Sequence, residues 1–133
     1  MTLRASMLIT VLALGCTQGP PRAEDPYWGK QPCGHCAMLV SETAPAAQVV
    51  LTDGARRYFD DVGCLVGWEA REARAVRARW VRTPADDGWV DAETALYSSG
   101  HRTPMGYGFL PDTAGLSWSE LREAITARGG GHP

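Results

Sequence analysis

Cys33 and Cys36 flank Gly34 and His35 in a Cys-Gly-His-Cys tetrapeptide, and Met38 follows the second thiol by two positions. Two chemistries compete for cysteines at this spacing: dithiol–disulfide exchange and metal ligation. A thioredoxin-type dithiol follows a buried apolar strand and opens a helix, whose N-terminus lowers the pKa of the first thiol. Here residues 24–32, EDPYWGKQP, are polar and punctuated by proline, and residues 37–41, AMLVS, have the composition of a strand. Thiol–disulfide exchange through Cys33 and Cys36 is therefore the alternative, and a soft metal site is the leading expectation. A structural zinc site would need a second Cys/His pair at metal spacing, and the sequence offers none.

Methionine sharpens the choice of metal. Met1 and Met7 fall in the leader, so Met38 and Met105 are the two left for the folded part. In an extended segment, residues i and i+2 face the same way, which would set the Cys36 thiol beside the Met38 thioether. Met105 stands between Pro104 and Gly106, a setting that suits a displayed loop. Thiolate and thioether are soft donors and favour Cu(I) over hard cations. Against this, a single methionine is commonly a core gap-filler. His35 and His101 are further candidates, each readable equally as a solvated loop histidine, and His132 lies in a glycine-rich tail. Cys64 reads as a small buried hydrophobe, and Asp60 or Asp61 as the cap of a helix, not as paired catalytic carboxylates. With Cys16 set aside, three cysteines remain, so any internal disulfide leaves one thiol unpaired. No nucleophile–base pair, phosphate-cradling loop or zincin-type helix is present, and the expectation is a binding protein, not an enzyme.

The elements that would position these residues begin with a leader. Arg4, an apolar run over 5–14 and Gly15 make residues 1–15 a secretory signal peptide, too short to span a bilayer. The LALGC that closes it resembles the lipobox of bacterial lipoproteins, which marks Cys16 for lipidation. Residues 16–32 hold four prolines and two glycines without apolar periodicity and read as a flexible, lipid-anchored tether. Residues 33–128 form one small domain, and 129–133 a disordered tail. Fifteen acidic against thirteen basic residues give a net charge of −2, with no electrostatic footprint for nucleic acid.

Within the domain, AMLVS and AQVVLTD read as a strand pair, and RRYF as a third strand after an Asp-Gly turn. Residues 60–77 read as a helix with Val62, Leu65, Val66 and Trp68 on its apolar face and EAREAR in solvent. RARWVRT and LYSS read as strands around a PADDG turn. SWSELREAITARGGG reads as a last helix with a Ser117–Glu120 capping box and a stop at Gly129. The fold class is α+β: short antiparallel strands with two helices.

Taken in order, the lipobox cysteine, CGHCAMLV, YFDDVGCLVGW, and WVDAETALYSSG leading into TPMGYGF resemble the NosL-type lipoproteins. These are copper-binding accessory proteins of nitrous-oxide reductase maturation. The resemblance covers roughly residues 33 to 125. It departs at Ala37, where the family usually has glycine between the cysteine and the methionine. It implies ββαβ-type units similar to part of organomercurial lyase, with Cu(I) as the bound metal. By position it implies Cys36, Met38 and Met105 as ligands, with Cys33 and His35 as auxiliaries. It further implies a chaperone on the periplasmic side of the bacterial cell envelope, anchored to the membrane. Its partner would be nitrous-oxide reductase or a related copper enzyme with its maturation machinery. A homodimer that completes the coordination sphere stays open.

Overall fold

Every residue of β1 (Ala47–Leu51) is buried, and its β-branched, two-sided apolar character suits a strand flanked on both edges. It pairs antiparallel with β2 (Arg56–Phe59) on one edge and with β3 (Val76–Arg82) on the other. A third antiparallel pairing adds β4 (Trp89–Asp91) to β3, giving the order β2-β1-β3-β4. The turn between the first two strands is the expected Asp-Gly: Gly54 takes φ +87°, and Asp53 Oδ1 accepts from the Ala55 N–H at 2.9 Å. β5 (Leu96–Ser98) and β6 (Leu110–Asp112) form a separate two-stranded sheet. Two helices, α1 (Val62–Glu69) and α2 (Trp118–Ala127), complete an α+β fold of one small domain, as the patterning predicts.

This is a computed structural model that describes residues 19–85 and 88–129. The expected signal peptide, the expected lipidation site at Cys16, His132 and positions 130–133 of the tail lie outside the described residues. So do Asp86 and Asp87 of the expected PADDG turn. Among the described residues, no helix is long and apolar enough to cross a membrane.

α2 forms as its sequence dictates. Ser117 and Glu120 make a reciprocal capping box, and Trp118, Leu121 and Ile125 are buried on one face. Gly129, at φ +84°, ends it. α1 is much shorter than the periodicity suggests. Val62 to Trp68 are all buried, but the helix stops at Glu69 and the chain turns into β3. Two contacts compete successfully with helix propensity there. Val76 pairs with Leu51, and Glu69 Oε1 accepts from Arg79 Nε at 2.6 Å. Glu69 is thus turned inward and not into solvent. The strands β4 and β6 are three residues each and β6 carries Pro111, too little for a period-two pattern to register.

Two other expectations give way. Residues 37–41 are not a strand of the sheet. They form the return arm of a narrow hairpin, joined to the outgoing arm by a Pro32–Leu39 bridge. The Gly29 N–H donates to Val40 O at 2.8 Å, and the Val40 N–H donates to Gln31 O at 2.8 Å. The described part of the expected tether is also not a free spacer. Arg77 donates to Gly19 O at 3.0 Å, Arg56 donates to Arg22 O at 2.8 Å, and Gln48 bonds the backbone of Glu24 in both directions. Trp28 stacks on Trp89 with centroids 6.4 Å apart, and the Arg82 guanidinium lies 5.3 and 5.5 Å from the two rings. Polar, proline-rich composition hid this attachment because the partners are arginines and tryptophans of the sheet.

A candidate metal centre of three thiols and a carboxylate

The hairpin at 29–40 ends in a tight knuckle that carries two of the thiols. The Cys33 N–H donates to Met38 O at 2.7 Å and the Ala37 N–H to Cys33 O at 3.2 Å. Ala37 closes the turn with φ +63°, a conformation that residues other than glycine adopt at a cost. The Gly34 N–H bonds Tyr58 O at 2.8 Å, which pins the knuckle to the outer edge of β2. A side chain at Gly34 would begin 3.2 Å from the Phe59 ring, so the approach depends on glycine.

β2 and α1 supply the other two donors. Asp60 follows the last residue of β2, and Asp61 caps α1 by accepting from the Gly63 N–H at 3.0 Å. The first turn of α1 then returns Cys64 to the same side as Asp60. Sulfur atoms of Cys33, Cys36 and Cys64 and a carboxylate oxygen of Asp60 all lie within 4.8 Å of one another. Cys36 Sγ sits 3.4 and 3.6 Å from the two Asp60 oxygens and donates to them. Cys33 is 4% exposed, Cys64 0% and Asp60 1%, whereas Cys36 is half-buried. None of the three cysteines is in a disulfide. Such a set could hold a metal ion.

The electrostatics separate the thiols. A hydrogen bond from the Cys64 thiol lowers the Cys33 pKa from 9.0 to about 7, against the opposing effect of burial. Backbone N–H groups of Cys36, His35 and Asp60 add to the lowering. Burial pushes Cys36 up to about 12, with the charges of Cys33 and Asp60 adding to the rise. Cys64 is raised by its donation to Cys33 and then by burial. The cluster therefore loses its first proton near neutral pH, from Cys33, while Cys36 and Cys64 stay protonated. Ultraviolet thiolate absorbance of the metal-free protein is expected to show a single step near pH 7. Because the folded-state pKa is depressed, that thiolate stabilises the fold fully above pH 9, and the contribution is lost as pH falls through about 7. Urea unfolding across that window checks the sign, and a titration with no step below pH 9 would contradict it.

Of the residues singled out in the sequence, Cys33 and Cys36 are brought together here. His35 is turned away: its Nε2 lies 3.2 Å from Arg71 Nη2. A guanidinium can only donate, so Nε2 accepts and the ring proton sits on Nδ1. Burial and then the Arg71 charge lower the His35 pKa, which keeps the ring neutral. The left-handed Ala37 between Cys36 and Met38 breaks the extended backbone assumed for the pair, and Met38 is 53% exposed. Met105 is half-buried against the core, in a loop as expected, and its N–H donates to Asp61 Oδ2 at 3.2 Å. His101 bonds Ser98 Oγ at 2.7 Å and lines a separate cavity of about 550 Å³ between β4 and the small sheet.

Asp60 and Cys64 escaped the sequence reading as ligands. One signal pointed to Cys64, the odd thiol count, whereas Asp60, which precedes the cap of α1, reads as part of a capping pair. Around the cluster, Asp61 is raised by burial, opposed by hydrogen bonds from Thr103, Gly63 and Met105. It thereby ties the loop at 103–105 to the start of α1. A groove of about 510 Å³ runs between this loop and the knuckle, with Met38, Leu39, Glu42, Asp60, Arg102 and Thr103 among its lining residues.

Comparison of the chain with protein-family models, with curated proteins and with solved structures finds no match.

Proposed function

We propose that the protein is a Cu(I)-binding accessory protein that carries copper on the cluster of Cys33, Cys36 and Cys64 and passes it to a copper enzyme. The observation that carries this reading is the convergence of three sulfur donors with Asp60 inside 4.8 Å. Sulfur predominates, and soft thiolates prefer a soft monovalent ion. Binding would release protons from the remaining thiols.

The resemblance to NosL-type lipoproteins supports the rest: delivery to nitrous-oxide reductase or a related copper enzyme, from the periplasmic face of the bacterial envelope, with Cys16 as the lipid anchor. In this reading Met38 and Met105 are auxiliary to the thiols, and no reaction is catalysed. The test is a Cu(I) titration of the protein against a competing chelator, with Zn(II) run in parallel. One equivalent of Cu(I) held in preference to Zn(II) is the expected result; no retention of Cu(I) overturns it. A second reading, thiol–disulfide exchange through Cys33 and Cys36, draws on the lowered Cys33 thiol. Turnover in an insulin-reduction assay, with copper excluded, would favour it instead.

A further inference from the structure

Free thiols packed within 4.8 Å of one another can bond to each other as well as to a metal, and the fold decides which pair does so. Cys33 and Cys36 are residues i and i+3 of the knuckle, which the Ala37 N–H closes by donating to Cys33 O at 3.2 Å. A tight turn brings its first and fourth Cα atoms within about 7 Å. That is the span a disulfide bridges without backbone movement. The side chains agree: the Cys36 thiol is hydrogen-bonded to the Cys33 sulfur, whereas Cys36 and Cys64 affect each other only through their charges. Access agrees too. Cys33 is 4% exposed and Cys64 0%, while Cys36 is half-buried and is the sulfur that a molecule from solution meets first.

We propose that Cys33 and Cys36 form a reversible disulfide that acts as a redox gate on the copper site, closing it to Cu(I) when oxidised. The proposal rests on the function given above and concerns its regulation; the pair sets the metal occupancy of its own chain and turns over no substrate. The oxidant is a low-molecular-weight disulfide. Its first sulfur bonds to Cys36 while its second leaves as a thiol carrying the Cys36 proton. Cys33 then bonds to the Cys36 sulfur and expels the first sulfur as a second thiol, which carries the Cys33 proton. Two protein thiols are oxidised and one small disulfide is reduced to two thiols. Cys64 and Asp60 are then the only members of the cluster left to hold a metal. The bridge also removes the hydrogen bond that the Cys36 thiol gives Asp60, which is 1% exposed. Loss of a donor to a buried carboxylate weighs against the oxidised form and keeps the bridge reducible. Since Cu(I) binds the reduced form, copper in turn opposes closure of the bridge.

The experiment equilibrates the metal-free protein with buffers of glutathione and glutathione disulfide, traps thiols by alkylation and locates each bridge by peptide mass mapping. A Cys33–Cys36 bridge is the expected product, and Cys64→Ser should form the same bridge in the same buffers. The oxidised protein, freed of glutathione, should bind Cu(I) at least about 100-fold more weakly than the reduced protein against a competing chelator. Dithiothreitol, removed before the titration, should restore the affinity. Loading with Cu(I) beforehand should slow oxidation by glutathione disulfide about tenfold or more. No bridge, a bridge to Cys64 in its place, or an oxidised protein that binds Cu(I) as tightly as the reduced one overturns the gate while the copper site stands. Absence of Cu(I) binding by the reduced protein overturns the proposed function and the gate with it.

Discussion

Cys64→Ser is expected to weaken Cu(I) binding by about 100-fold or more, in a chain that remains folded. Removal of an outer-shell partner from a metal site costs roughly 10–100-fold in affinity, and a direct thiolate is worth at least that much. Cys64 is fully buried in α1, where a purely structural role would make serine a small loss of packing with a hydroxyl to satisfy. That hydroxyl can still donate to the Cys33 sulfur, so the fold should lose only about 1–2 kcal/mol. The two roles therefore separate in one variant: a large change in metal affinity beside a small change in urea midpoint. Met38→Ala, at an exposed position two residues beyond Cys36, should change affinity far less. Equal effects of the two substitutions would return the weight to the thioether.

The second large effect concerns the loop that packs on the first turn of α1. In an open helix, Gly63→Ala would stabilise by about 1 kcal/mol through helix propensity alone. Here an added Cβ would stand 2.1 Å from the Tyr107 ring carbon that joins the ring to its backbone, and 2.2 and 2.5 Å from the next two. Rotation of the ring about χ2 leaves that carbon in place, so relief requires a new χ1 rotamer of Tyr107 or a movement of the loop. That movement would break the bonds that hold it: Met105 N–H to Asp61, Gly108 N–H to Thr103 Oγ1 at 3.0 Å, and Arg128 Nη1 to Tyr107 O at 3.0 Å. Overpacking of this kind costs about 1–3 kcal/mol, and the lost hydrogen bonds add to it. The net expectation is destabilisation by about 2–3 kcal/mol, read as a lower urea midpoint. An unchanged midpoint would mean that the loop does not pack on α1 as described.

How much of this was legible in the sequence depended on whether the determinant was local. α2 was, because Ser117, Glu120 and the spacing of Trp118, Leu121 and Ile125 encode cap and face within a dozen residues. The Asp-Gly turn and RRYF were legible for the same reason. α1 was overextended because nothing in EAREAR announces that Glu69 will meet Arg79 or that Val76 will meet Leu51. The cluster was half legible. The spacing of Cys33 and Cys36 announces a pair, but Asp60 and Cys64 reach it through the Gly34–Tyr58 hydrogen bond, across an interval that no pattern spans. The pairing of Cys36 with Met38 assumed an extended backbone, and Ala37 in the left-handed region is what the residue type least suggests.

The attachment of the N-terminal segment bears on how force and orientation would reach the domain. Gly19 is already held by Arg77, and the segment is then gripped at Arg22, Glu24 and the Trp28–Arg82–Trp89 stack before the knuckle begins. If Cys16 carries the lipid, three covalent steps separate it from that first grip, a reach of only about 10 Å. The domain would then ride close against the bilayer in a restricted pose, not sweep a hemisphere at the end of a leash.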